Sequence, residues 1–234
     1  MCKKIAIYVE GQTEHVFINH CILTWWEYSG VKITNIKLVN DLKNPIPDFI
    51  SENYGTHFVI LNVEGLGSLV SAIFENAHQQ VQEGFEIIGL RDLEIDNYDE
   101  ELRYVIEYPV ALKKKLKNLG YLHSDEFVLY FAIIKVEAWL LAFTEAVAKW
   151  AKISEKDVQI CIKKYSEPCL EKIRDPQKLL NSIGNRGKDT KKFHEIKSLV
   201  SGIRLEAIQN VYQTRIVPNF SLFWHRLVSH SRSP

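Results

Sequence analysis

Apolar residues fall into short unbroken runs separated by polar, periodic stretches. The run in KKIAIYVE predicts a strand over residues 4–9, ending on Glu10. After GQT, Val16, Phe17, Cys21, Ile22 and Trp25 recur at helical spacing and predict a helix over 13–28, with Gly30 as punctuation. VKITNIKLV predicts a second strand, and NPIPDFISENYG, with two prolines, a loop and short helix. THFVILNV predicts a third strand, followed by a helix over 69–82; GFEIIGLRDLE predicts a fourth strand, again closing on acid. DEELRYVIEYPVALKKKLKNLG predicts a helix broken near Pro109, EFVLYFAII a fifth strand, and VEAWLLAFTEAVAKWA one helix. Beyond Ala151 only short helical patterns follow.

Strands that are apolar throughout, alternating with helices, fit a mostly parallel sheet covered on both faces. The expected architecture is an α/β domain over residues 1–151, with an α-helical extension over 152–234 packed on it. In such sheets ligands lie beyond the carboxyl ends of the strands. The acids ending the first and fourth strands are therefore placed where chemistry is expected.

Composition narrows the partners. The 234 residues carry 29 Lys+Arg and 29 Asp+Glu, so net charge gives no polyelectrolyte signal and nucleic-acid binding must come from local patches. Cys2, Cys21, Cys161 and Cys169 have no CxxC spacing, which fits a reduced cytoplasmic setting. MCKK runs straight into a strand, so no signal peptide is expected, and no apolar run is long enough for a membrane span.

In an extended segment Asp92 and Glu94 point to one side. Together with Glu10 they form a trio of oxygen ligands suited to Mg²⁺ or Mn²⁺. Each acid also has a plainer reading. A strand-end glutamate is commonly a solvated loop charge, and Glu14 fits the first turn of a helix, where the dipole favours an anion. In NRGKDTKK, Arg186, Lys188, Lys191 and Lys192 are candidate phosphate contacts, whereas KKKLK at 113–117 reads as a solvated helix face. NVEGLGS offers a glycine-rich turn without the Walker pattern. No Ser/His/Asp or Cys/His spacing points to covalent catalysis.

VEGQTEHVF resembles the EGxTE signature of TOPRIM domains in nuclease members of that superfamily, and LRDLE resembles their DxD motif with Glu94 as the second acid. KVEAWLLA and the tail segment NFSLFWHRL resemble segments of a small group of bacterial TOPRIM-like proteins; Lys135 stands where those often carry an acid. The resemblance implies a Rossmann-like TOPRIM fold and a metal-dependent endonuclease acting on DNA or RNA. Glu10 would be acid/base or metal ligand, Asp92 and Glu94 metal ligands, and Glu14 and Glu137 further charge for a second metal. It also implies a toxic effector of bacterial anti-phage defence, partnered with an ABC-type ATPase, and allows a homo-oligomer. The alternative is a catalytically inactive interaction or regulatory subunit. A third is phosphoryl transfer to a small molecule, since open α/β sheets host many chemistries.

Overall fold

The structure, a computed structural model, describes residues 2–38, 46–64, 68–93, 107, 109–111, 113–115, 117–118, 127–132, 135–165, 169–187 and 196–229. The chain divides into two compact units. The first comprises Met1–His15 and Trp26–Phe131, the second Val16–Trp25 and Ala132–Pro234. The expected boundary at 151 thus falls inside the second unit, and the first helix contributes residues to both.

The first unit is built on a six-stranded, mostly parallel sheet: β1 (Lys3–Val9), β2 (Val31–Lys37), β3 (Phe49–Ile50), β4 (Thr56–Asn62), β5 (Phe85–Asp92) and β6 (Phe127–Ala132). Their order is β3-β2-β4-β1-β5-β6. β1 runs parallel to β4 and β5, and β2 parallel to β4. Ile5, Ala6, Ile7, Tyr8 and Val9 of β1 are fully buried. Each large aliphatic side chain removed from water there contributes about 1.5–3 kcal/mol, which exceeds roughly 1–2 kcal/mol of backbone entropy lost per residue. Alternation sends Ala6 and Tyr8, with Val59, Leu61, Phe85 and Ile87, to one face, where they meet Leu69, Ile73 and Ala77 of the helix α2 (Ser68–Gln82).

Two expectations are corrected here. The described part of NPIPDFISENYG contains no helix; Phe49–Ile50 instead pairs antiparallel with β2 at the sheet's edge. Pro47 biases the residue before it towards extended backbone, and a two-residue edge strand offers little for another chain to pair with. The other correction concerns VEAWLLAFTEAVAKWA. It forms two helices, α3 (Glu137–Leu140) and α4 (Thr144–Ala151), with Phe143 between them at φ −90°, ψ 60°. The ring of Phe143 lies 5.8 Å from that of Phe17 and 6.0 Å from that of Phe220. EAWLLAF is apolar nearly throughout, so periodicity alone had no polar face with which to mark the break.

The first helix, α1, runs Gln12–Trp25. Its part in the second unit joins the helices α5 (Glu155–Tyr165), α6 (Pro176–Gly184), α7 (Ile196–Val200), α8 (Leu205–Thr214) and α9 (Pro218–Val228). Phe17, Trp139 and Phe220 make tilted and edge-to-face contacts with centroids 5.5–6.4 Å apart. Trp139 is fully buried and its indole N–H donates to Glu171 at 3.0 Å. That carboxylate, itself 2% exposed, also accepts from the Asn219 backbone N–H at 3.1 Å and from its Nδ2 at 3.0 Å. Asn219 lies in the first turn of α9, whose N-cap, Val217, has no side-chain acceptor. Glu171 therefore caps a helix from a distant part of the chain, satisfying N–H groups that the helix cannot. Burial raises its pKa, and the bonds from Asn219 and Trp139 pull the other way.

None of the four cysteines forms a disulfide, and no described helix is long and apolar enough to cross a membrane.

Replacing Glu171 by Ala leaves Trp139 and the α9 donors buried without their acceptor. The expected loss is about 2–4 kcal/mol in urea unfolding, with Glu171→Gln, which keeps one acceptor oxygen, losing less. A second expectation concerns pH. His20, whose Nε2 donates to the Ile203 carbonyl at 2.9 Å, has its pKa lowered from 6.5 by burial. The unfolded chain then binds the proton more readily than the native one. The contribution of His20 is complete above about pH 6.5 and is lost as pH falls through the lower native value. Unfolding curves of wild type and His20→Gln are expected to diverge less at pH 5 than at pH 7.

Candidate functional site

Parallel pairing brings the carboxyl ends of β1, β2, β4 and β5 to one edge. Val9 of β1 stands opposite Asn62 of β4 and Leu90 of β5, and Lys37 of β2 opposite Asn62. The next residues along β1 and β5 are Glu10 and Arg91. Their side chains meet there, Arg91 Nε lying 3.3 Å from Glu10 Oε1. Glu10 is 8% exposed, a depth at which a carboxylate requires a positive partner. The fourth-strand motif was read for its acids; the residue that reaches Glu10 is the arginine before them. The signal lay in register: counting equal steps along two parallel apolar runs pairs YVE with GLR.

Alternation separates the acids by face. Glu10 shares parity with Ala6 and Tyr8, and Arg91 with Phe85, Ile87 and Leu93, all on the α2 side. Asp92, half-buried at the end of β5, has the opposite parity. For a cation to join Glu10 and Asp92 it must lie past the last strand residues, where backbone no longer separates the faces.

Glu14 occupies the first turn of α1, which opens one residue earlier than expected, at Gln12. The Gly11 carbonyl accepts the first helical bond from His15 N–H at 3.2 Å, putting Gly11 rather than Thr13 in the cap position. The Glu14 carboxylate folds back over Gly11; a Cβ at Gly11 would lie 2.9 Å from Glu14 Oε2. An acid three residues after the cap, reaching back to it, is the capping-box arrangement.

The rest of the rim is amide and ion pair. Buried Asn62 donates from Nδ2 to Gln12 Oε1 at 3.3 Å, and its Oδ1 accepts from Glu64 N–H at 3.1 Å. Glu64 takes the left-handed region, φ 33°, and its carboxylate pairs with Lys37 Nζ at 3.2 Å. Buried His15 holds Asn35 through Nε2···Oδ1 at 2.8 Å. Asn62, Gln12, Lys37 and Asn35 were not singled out in the sequence, because amides and a lone lysine at strand ends have no diagnostic spacing.

Glu137 is buried in the first turn of α3 in the second unit, and Arg186 is exposed there. Glu94, Lys188, Lys191, Lys192 and the centre of NVEGLGS lie outside the described residues. Among the described residues no three His, Cys, Asp or Glu side chains are grouped to hold a metal ion. In its chemistry the donor set suits a hard divalent cation: Glu10 and Asp92 offer carboxylate oxygens from neighbouring strands. Arg91 already supplies positive charge to one of them.

The chain matches no protein-family model, no curated protein and no solved structure.

Removing Arg91 alone leaves Glu10 buried without its ion pair. Arg91→Met is expected to cost about 2–4 kcal/mol, the low side of the range for buried pairs because the arginine side chain is partly exposed. The double variant Glu10→Gln/Arg91→Met should recover a large part of that loss in a thermal unfolding cycle. Additive single losses would mean the two side chains do not act as a pair.

Proposed function

We propose that this chain is a TOPRIM-like, divalent-metal-dependent endonuclease that hydrolyses phosphodiester bonds in DNA or RNA. The observation that carries the reading is Glu10. It is a buried carboxylate at the end of a central parallel strand, inside the EGQTE motif, at the edge where open α/β sheets bind ligands. Glu10, Asp92 and Glu94 would hold Mg²⁺ or Mn²⁺, with Glu14 and Glu137 as further acids the resemblance names. When bound, such a cation lowers the pKa of water and neutralises charge on the scissile phosphate. Glu10 would hold or accept the proton released at that edge. Arg186, Lys188, Lys191 and Lys192 would neutralise backbone phosphates. Family resemblance adds a cytoplasmic toxic effector of anti-phage defence, working with an ABC-type ATPase.

One observation favours a second reading. Arg91 lies against Glu10 and supplies the charge a cation would otherwise bring. A subunit in which that pair is permanent would keep the fold as a regulatory or docking module without catalysis.

The decisive experiment expresses wild type beside Glu10→Gln and Asp92→Asn in a bacterial host and sequences nucleic-acid ends. It also assays the purified proteins on DNA and RNA with Mn²⁺ or chelator. The nuclease reading expects new ends with wild type only, cleavage abolished by chelator, and a loss of about 100-fold or more in either variant. Absence of cleavage on both substrates, with native folding intact, favours the regulatory subunit.

A further inference from the structure

The ion pair at the strand ends carries a further consequence, one that rests on the nuclease reading. Glu10 and Arg91 share a contact of 3.3 Å, but they differ in exposure: the arginine side chain is 24% exposed, the glutamate side chain 9%. The acid is thus held inside while its partner reaches water. Arginine binds carboxylate and phosphate with the same planar fork, so one anion can replace the other without a change of geometry. The neighbouring base on the rim, Lys37, is likewise matched to an acid, Glu64. Each of these two acids thus has a basic partner on the rim.

A divalent cation at Glu10 would stand close to the guanidinium, and like charges at that range repel. Arg91 must then leave the carboxylate, and its charge at a half-buried position calls for another anion. The anion that the nuclease reading brings to this edge is a nucleic-acid phosphate. We propose that Arg91 is a positioning residue that exchanges Glu10 for a substrate phosphate when a divalent cation takes Glu10, so that cation and nucleic acid bind cooperatively. Neither ligand alone displaces the pair well. A cation alone leaves the arginine stranded, and a phosphate alone leaves the buried glutamate stranded. By linkage, each ligand must tighten the other by the same factor.

The test measures Mn²⁺ binding to the full chain by electron paramagnetic resonance of the free ion. It is run with and without saturating thymidine 3′,5′-bisphosphate, which has no internucleotide bond to cut, and corrected by a nucleotide-only titration. In wild type the nucleotide should tighten Mn²⁺ binding about 10-fold or more. Arg91→Gln should bind Mn²⁺ alone more tightly than wild type and lose the coupling. Arg91→Lys keeps the charge without the fork, and its coupling should fall at least about threefold; this variant and the wild-type measurement decide the matter if Arg91→Gln does not fold. Equal Mn²⁺ affinity with and without nucleotide in wild type, or full coupling in the arginine variants, overturns the exchange while leaving a metal-dependent nuclease standing. Absence of Mn²⁺ binding to wild type under both conditions overturns the nuclease reading itself, and the exchange with it.

Discussion

The first unit depends on the placement of β1. This strand is fully buried from Ile5 to Val9 and is hydrogen-bonded in parallel on both sides, to β4 and to β5. A shift of one residue would turn its apolar side chains to the opposite faces. Once that register is fixed, the strand's first charged residue must emerge beside whatever ends the neighbouring strands. Glu10 meets Arg91, and Asn62 is brought to Gln12, because the strands end in step. The polar rim is a by-product of where the apolar runs stop.

That constraint decides the character of the edge. A carboxylate with so little water around it persists only with a compensating charge. In the protein alone the charge comes from the same chain, one strand away. Glu14 is occupied differently. It is folded over Gly11 at the start of α1, where helix N–H groups and the dipole favour an anion. The two acids of EGQTE therefore stand in unlike surroundings, four residues apart. One is bound to a cation and the other to a helix end.

The second unit follows a different logic. No sheet organises it; aromatic side chains and one buried acid do. Glu171 ties the indole of Trp139 to the first turn of α9, and burial raises its pKa while those donors oppose the rise. Close packing also explains Gly187. A Cβ there would collide with the carbonyl oxygen of Ala151, so backbone approaches backbone without room for any side chain.

Much of the architecture was legible in the sequence because burial on both faces writes an uninterrupted apolar run. The five long strands, the helices after β1 and β4, and the helical character beyond residue 151 follow from such runs and from the 3.6 period. The motif EGQTE also marked where a buried strand would stop on a charge. The break at Phe143, the edge strand at Phe49–Ile50 and the capping of α9 by Glu171 were not legible. Each is set by partners distant in the chain, or by a local pattern too short to have a period. The sequence by itself determined which segments must be buried and which acids stand at strand ends. Only the tertiary structure decided that Glu10 faces Arg91, because strand order and register are long-range pairings that leave no mark on either segment alone.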